Sequence, residues 1–486
     1  MINTSTLFLL FLSPYLLCSQ TSIEAVLESY KKDKDLQHAT YSFCVQDAET
    51  GKTLKEFNSE LALVPASTMK IMTTSAALGI LGKDYTYKTK FYYSSVIDSS
   101  SGKIYSNLLV KGSGDPSFNS SYFNTNDSTF LNNLATKLKR NGLKKITGSI
   151  DVDVSIFDSN IPGSWIWSDI GNYFGAGANG LSYKDNKFSI FYNSGAVNTE
   201  AVVQSIKPDY FSKKNIVKYS KVISYGSEDD AYVYGDPDSY ERKVRGSIPP
   251  NKKNYEVEAQ MPEPPLFFGN ELLTVLKKND LANPNSIANY RIVTIYKNPK
   301  NKDELIYTYE SPKLEQIIYF TNTKSNNHYA ESLLKTIGAI KSGTQGTTEN
   351  GITAVENFWK GRGVDISGLH MADGSGLSRA NTITTKIQAT VLSKIYRDSL
   401  LYPSFNPCLP VAGKNGSMTN LCKGTFAENN MRAKTGYINR ARGYCGYVKT
   451  KAGKELAFSV LFNNYDCSPK EMKLKIEKFL VALVDL

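Results

Sequence analysis

The sequence predicts an α/β protein whose main domain, an antiparallel sheet flanked by helices, is built from both ends of the chain and split by a large, mainly β insertion. Three observations predict it. Strand patterns lie near both termini, with helical patterns between them. More than half of the 486 residues separate two short polar motifs, Ser67-Thr68-Met69-Lys70 and Ser325-Asn326-Asn327, far more chain than neighbouring parts of one site need. The stretch between, from about 89 to 290, is rich in Asn, Ser, Tyr and Lys and carries several strand-like runs.

Taken in order, residues 1–19 read as a secretory signal peptide. The run 7–17 is apolar, broken by Pro14, and Leu17-Cys18-Ser19-Gln20 offers cleavage near Ser19, although no Lys or Arg precedes the run. Lipidation at Cys18 is the alternative. Residues 21–36 form a polar-apolar helix. Over 39–47, Tyr41, Phe43 and Val45 alternate with Ser42, Cys44 and Gln46, a strand that turns at 49–52 and returns over 54–57. A helix over 68–81 puts Ser67 at its start, where a serine is ordinarily an N-cap. In the insertion, 107–111 and 148–154 read as strands. Residues 329–340 are helical, and 431–439, 443–450 and 456–463 are consecutive strands. The final helix, 469–486, carries Met472, Ile476, Phe479, Leu480 and Leu483 on one face, which packs on the sheet or, alternatively, rests on a membrane surface. The resulting organisation is a domain of 20–88 plus 291–486, with 89–290 inserted as two small β-rich domains.

Composition narrows the function. Hydrophobic content of 41% and charged content of 21% are ordinary for a globular chain. After the first twenty residues no apolar run is long enough to span a bilayer. The net charge of +11 favours anionic surroundings, but the lysines are scattered rather than blocked, so nucleic acid is not an expected partner. Five cysteines follow the leader and none forms Cys-x-x-Cys. Cys408 and Cys422 can pair across a short loop in an oxidising compartment, whereas the odd count favours buried apolar roles. Three histidines and no His-Glu-x-x-His motif leave few candidates for a Ser-His-Asp triad or a zinc site. That scarcity suits a lysine base, and no metal or organic cofactor is implied.

The chemistry lies in three peptides: Ser67-Thr68-Met69-Lys70, Ser325-Asn326-Asn327 and Lys434-Thr435-Gly436. Each is weak alone. Ser-x-x-Lys recurs at Ser100/Lys103 and Ser332/Lys335, and Ser-x-Asn recurs at Ser117 and Ser404; Lys-Thr-Gly occurs once. Their order and contexts (helix start, loop, strand) make them informative together. A serine hydroxyl needs a base within reach, and residues three apart on a helix share a face, so Lys70 can deprotonate Ser67. Burial and a second cation would lower the Lys70 pKa, and Lys434 can be that cation or bind a substrate carboxylate. The Ser67 and Tyr437 amides can face a developing oxyanion, with Gly436 permitting close approach. Ser325 can relay a proton to the leaving amine, and Asn327 can orient Lys70 and the substrate amide.

With its flanking residues the constellation resembles the D-alanyl-D-alanine carboxypeptidase/endopeptidase family, the class C low-molecular-mass penicillin-binding proteins, from about residue 24 to 485. Pro65-Ala66-Ser67-Thr68-Met69-Lys70, Gly112-Ser113-Gly114-Asp115-Pro116, Ser325-Asn326-Asn327-His328-Tyr329-Ala330-Glu331 and Leu409-Pro410-Val411-Ala412-Gly413 carry the resemblance. So do Ala433-Lys434-Thr435-Gly436 and, most specifically, Asp373-Gly374-Ser375-Gly376-Leu377-Ser378-Arg379. Trp165-Ile166-Trp167-Ser168-Asp169 resembles the segment whose aspartate contacts the diamino acid of the peptide stem. The resemblance implies a β-lactamase/transpeptidase-like catalytic domain and an exported enzyme of the periplasm or cell envelope. It also implies peptidoglycan stem peptides as substrate, β-lactam antibiotics as inhibitors, and an acyl-serine route for D-Ala-D-Ala carboxypeptidase and D-alanyl endopeptidase activity. On that pattern Ser67, Lys70, Ser325, Asn327 and Lys434 are catalytic, while Thr435, Gly436, Tyr437 and Asp169 bind substrate. Tyr437 departs from the small hydroxyl residue usual after Lys-Thr-Gly. A β-lactamase and a non-catalytic cell-wall-binding protein of the same fold stand as alternatives.

Overall fold

A computed structural model describes residues 22–97, 103–123, 127–291 and 302–486. The leader at 1–19, with Cys18, and Ser100 of one Ser-x-x-Lys pair lie outside them. The helix expected over 21–36 is two pieces. α1 (Ile23–Lys31) is capped by Ser22, and the Asp33 carboxylate accepts from the Asp35 amide to start a separate turn at Lys34–Leu36.

Five strands form the sheet of the terminal segments: β1 (Thr40–Asp47), β2 (Thr53–Phe57), β3 (Arg432–Ile438), β4 (Ala441–Lys449) and β5 (Glu455–Asn463). Their spatial order is β3-β4-β5-β1-β2 and every pairing is antiparallel, so the first strand lies beside the last, with Thr40 opposite Asn463. Against the sheet pack α2 (Lys70–Leu81), α3 (Asn327–Ser342), α4 (Thr385–Tyr396) and α5 (Pro469–Ala482) in two layers.

Alternation along β5 separates those layers. Leu456, Phe458, Val460 and Phe462 join the core with α1 and α5, while Ala457 and Leu461 join the core with α2, α3 and α4. Ser459 points the same way as Ala457 and donates to Gln388 on α4 (2.7 Å). The apolar face of α5 is used here: Met472, Ile476, Phe479, Leu480 and Leu483 are buried, and the Phe479 and Phe43 rings lie 4.9 Å apart. That face is covered by the sheet rather than offered to a membrane surface. Among the described residues no helix is long and apolar enough to cross a membrane.

Between α2 and α3 the chain builds a second core. A five-stranded sheet runs in the order Ile287–Arg291, Ser149–Asp153, Ile104–Lys111, Lys88–Ile97 and Lys302–Glu310, covered by helices Asp127–Arg140 and Pro264–Lys278. Two three-stranded sheets follow, one of them Tyr255–Gln260, Lys187–Asn193 and Val202–Lys207. One continuous apolar cluster reaches from Phe91 to Ile306 across all three.

The five cysteines of the described residues are unpaired. Cys408 and Cys422, expected as a candidate disulfide, belong to different cores, and Cys408 Sγ donates to Ser404 O (3.1 Å). Their buried, apolar roles replace the bridge.

Candidate active site

Ser67 is not an N-cap. It sits in a short 3₁₀ turn, Ala66–Met69, that runs into α2, and its side chain makes no capping bond. The turn is forced: Ala66 has φ 48°, the left-handed region that a residue with a Cβ rarely enters. Two glycines make room for it. A Cβ on Gly376 (φ +82°) would fall 1.9 Å from Ala66 O, and one on Gly436 would fall 2.5 Å from Pro65 O and 3.1 Å from Ser67 N. The backbone of β3, an edge strand, therefore lies directly against the serine turn. Below it, Thr68 Oγ1 donates to Pro65 O (2.8 Å) and accepts from Gln388 Nε2 (2.9 Å), which ties the turn to α4 and the sheet.

One turn on, Lys70 is fully buried, with Nζ 3.0 Å from Ser67 Oγ. The amine also donates to Asn327 Oδ1 (2.6 Å) and Ser375 O (2.6 Å), two neutral acceptors that fix its direction. Burial pulls its pKa down to about 7, against the upward pull of Asp373 and Glu331. Lys335 of the Ser332/Lys335 pair is held by Asp158 instead, at 2.6 Å.

Ser325 also adopts a positive φ (56°). This turns the chain so that Asn326 caps α3, accepting from the Tyr329 amide (3.1 Å), and leaves Asn327 free to face Lys70. Asn327 Nδ2 in turn donates to Phe174 O (2.8 Å) in the insertion. Lys434, buried on β3, donates to Ser325 Oγ (2.9 Å) and to Thr435 O (2.7 Å). Burial, then the charge of Lys70, hold its pKa well below the ordinary lysine value. Two hydrogen-bonded sets, Ser67–Lys70–Asn327 and Ser325–Lys434, thus meet around two buried amines close enough for the charge of one to depress the pKa of the other. His328, next in the chain, is buried against Ser182 Oγ (2.8 Å), and burial lowers its pKa to about 4.

A layer beneath Lys70 is built by Asp373 and Glu331, two motif residues to which the sequence reading assigns no role. Asp373 accepts from the amides of Ser375, Gly376 and Ser378 and from Trp165 Nε1 (2.8 Å). Glu331 on α3 accepts from the Gly374 and Ser375 amides (3.0 and 2.8 Å). Together they shape the loop whose Ser375 carbonyl holds Lys70. Burial, reinforced by Asp373, raises the Glu331 pKa to about 8. The signal that could have found this layer is the Asp373–Arg379 motif itself, read as a carboxylate gathering its own loop amides.

A cleft of about 700 Å³ opens over the serine, lined among others by Ser67, Ser325, Asn327, Asp169, Arg379 and Tyr437. Asp169 is buried and forms an ion pair with Arg379 Nη1 (2.8 Å). Thr435 Oγ1 donates to Ser417 Oγ (2.7 Å). Tyr437 projects into the cleft half exposed, with the Arg442 guanidinium 5.4 Å from its ring centre.

The chain matches the model of the D-Ala-D-Ala carboxypeptidase 3 (S13) family over residues 23–483. It is 27% identical over 461 residues to a D-alanyl-D-alanine carboxypeptidase of Actinomadura sp. (strain R39), spanning 91% of this chain and 80% of that protein. It is 24% identical over 444 residues to the D-alanyl-D-alanine carboxypeptidase DacB of Haemophilus influenzae, spanning 89% and 87%. The fold superposes on the crystal structure of penicillin binding protein 4 (dacB) from Haemophilus influenzae with a TM-score of 0.76 at 20% identity, covering 95% of this chain and 99% of that one. That protein is also known in complex with a β-lactam, superposing with a TM-score of 0.71 at 20% identity over 94% and 98% of the two chains.

Proposed function

The chain belongs to the D-Ala-D-Ala carboxypeptidase 3 (S13) family, serine hydrolases of D-alanyl-D-alanine ends, and on that premise we propose that Ser67 is its nucleophile and Lys70 the base. The observation that carries this reading is the buried Lys70 amine 3.0 Å from Ser67 Oγ. Ser67 Oγ attacks the carbonyl between the last two D-alanines and its proton passes to Lys70. The oxyanion forms against the amides of Ser67 and Tyr437. The C–N bond then breaks, Ser325 Oγ hands a proton to the departing nitrogen, and Lys434 restores the Ser325 proton. D-Alanine leaves; water next attacks the ester, one of its protons passing through Ser325 Oγ back to Lys434 while Lys70 returns its proton to Ser67 Oγ, so that both amines are reset. Thr435 and Lys434 meet the substrate carboxylate, Gly436 admits the substrate backbone, and Asn327 holds both Lys70 and the substrate amide.

When the departing nitrogen belongs to a second stem peptide, the same steps open a D-alanyl cross-link, so endopeptidase activity accompanies the carboxypeptidase. The substrate lies outside the cytoplasm, and the leader at 1–19 fits export to the periplasm or envelope. Acylation of Ser67 by β-lactams follows from the same nucleophile. The decisive assay combines D-alanine release from a pentapeptide ending in D-Ala-D-Ala with intact-mass analysis after benzylpenicillin. D-Alanine release with one lasting adduct is the expected result. Penicillin consumed without a lasting adduct would identify a β-lactamase, and inertness in both assays a non-catalytic wall-binding protein.

The Lys70 pKa predicts the pH profile. Lys70 accepts a proton only as the neutral amine, and burial brings its pKa to about 7. The rate of acylation should therefore rise with pH and level off above about 7, following a single ionisation. A rate flat from about pH 5.5 to 8.5 would remove Lys70 as the base.

Asp169 with Arg379 presents a negative and a positive group on one wall of the cleft, which suits the distal amine of a stem diamino acid and a carboxylate beside it. Asp169→Ala should lower kcat/KM for such a stem peptide by about tenfold to a hundredfold, the worth of a charged hydrogen bond. Acylation by benzylpenicillin, which lacks that side chain, should stay near wild type. Equal losses on both would remove Asp169 from stem recognition.

A further inference from the structure

The cleft over Ser67 does not end at its own walls. A second hollow, about 730 Å³, adjoins it, and Asp185, Lys187 and Glu258 line both. The seam is fixed close to the proton-relay loop. Tyr329, in the first turn of α3, donates to Asp185 Oδ1 (3.0 Å), which places the inserted region's side of the groove one helical turn from Ser325. Release of a single alanine needs little of this space, since a hollow of this size encloses a ligand of drug dimensions by itself.

The charges along the groove are mixed and paired. Lys187 meets Glu258 (2.6 Å) with about a quarter of each side chain exposed (25% and 28%), and farther on Lys207 meets Asp209 (2.6 Å). A wall of one sign would suit a polyanion; alternating ammonium and carboxylate groups suit a zwitterionic peptide, which can exchange partners pair by pair. At the catalytic end, Lys324 is exposed, lines the cleft beside Ser325 and makes no ion pair among the described residues.

We infer that this groove receives the leaving strand of a cross-linked substrate, a second stem peptide attached through the scissile nitrogen, with Lys324 and Lys187 meeting its carboxylates. The inference rests on the endopeptidase reading above, in which Ser325 protonates that nitrogen, so the leaving strand must start on the Ser325 side. The groove then distinguishes the two activities: a cross-link engages it, and a terminal D-alanine does not.

The test compares a D-alanyl cross-linked muropeptide dimer with its monomeric pentapeptide on the full enzyme and on the double variant Lys187→Gln/Lys324→Gln. The expected result is a fall of about tenfold in kcat/KM for the dimer. D-Alanine release from the monomer and acylation by benzylpenicillin stay within about twofold of wild type, and a Lys187→Arg/Lys324→Arg variant keeps the wild-type dimer-to-monomer ratio. A double variant that loses both substrates equally, or neither, overturns the groove while leaving endopeptidase activity in place. A wild-type enzyme that releases D-alanine but leaves the dimer intact overturns the endopeptidase reading and the groove with it.

Discussion

Ser67→Ala should abolish the benzylpenicillin adduct and cut D-alanine release by about 10⁴-fold or more, the scale of loss when one member of a cooperating nucleophile–base set is removed. The alanine keeps the turn, because its geometry is imposed by neighbours. Gly376 and Gly436 pack against Ala66 and Pro65, and Thr68 is anchored to Gln388, none of which needs the serine hydroxyl. What disappears is the single oxygen that Lys70 can deprotonate within 3.0 Å. Intact mass and a D-alanine assay on the same preparation read the outcome. A variant that still forms the adduct would move the nucleophile elsewhere, with Ser325 the first residue to test.

Lys70→Met should be nearly as damaging to activity, about 10²–10⁴-fold, while leaving the melting temperature almost unchanged. Methionine matches the lysine stem in length and shape, and it relieves the cost of keeping an ammonium at a fully buried position. Against that gain, Asn327 Oδ1 and the Ser375 carbonyl lose a donor at 2.6 Å, a cost of about 1–3 kcal/mol for each acceptor left dry. The two effects oppose each other. Thermal unfolding alongside acylation kinetics separates them: a large fall in stability would mean that Lys70 is a structural tie as much as a base. Survival of more than about a tenth of the wild-type acylation rate would remove it as the base.

Much of this site is legible in the chain because its chemistry is local. Ser67 and Lys70 are three residues apart on a helical turn, so their contact is implied by spacing alone. The strand carrying Lys434 is legible as one of the consecutive strand-like runs near the C-terminus, 431–439. Contacts set by tertiary packing were not. Nothing in the residues around Ser67 distinguishes an N-cap from a nucleophile, since what excludes the cap is the Ala66 turn wedged by glycines from two distant segments. The resemblance singles out Asp169, but its partner Arg379 comes from 210 residues away and only folding brings the two together. Glu331 is equally silent: a glutamate at one position of a helix gives no hint that two loop amides from another segment will close on it. The Cys408–Cys422 spacing invited a bridge, but the two residues lie in separate cores.

The pairing of β1 with β5 has a consequence in time. The first strand cannot find its neighbour until the chain is essentially complete, whereas the core spanning Phe91 to Ile306 has all its parts much earlier. Closing the sheet is a long-range event with a large loop entropy to overcome, and such contacts form slowly. The β-rich core can therefore consolidate first and serve as a platform that holds the two separated halves near each other. Lys434 reaches Ser325 only after that closure, so a chain still being made carries Ser67 without Lys434 beside Ser325. On the mechanism proposed for Ser67, activity would await completion of the chain, a delay that arises from strand order alone.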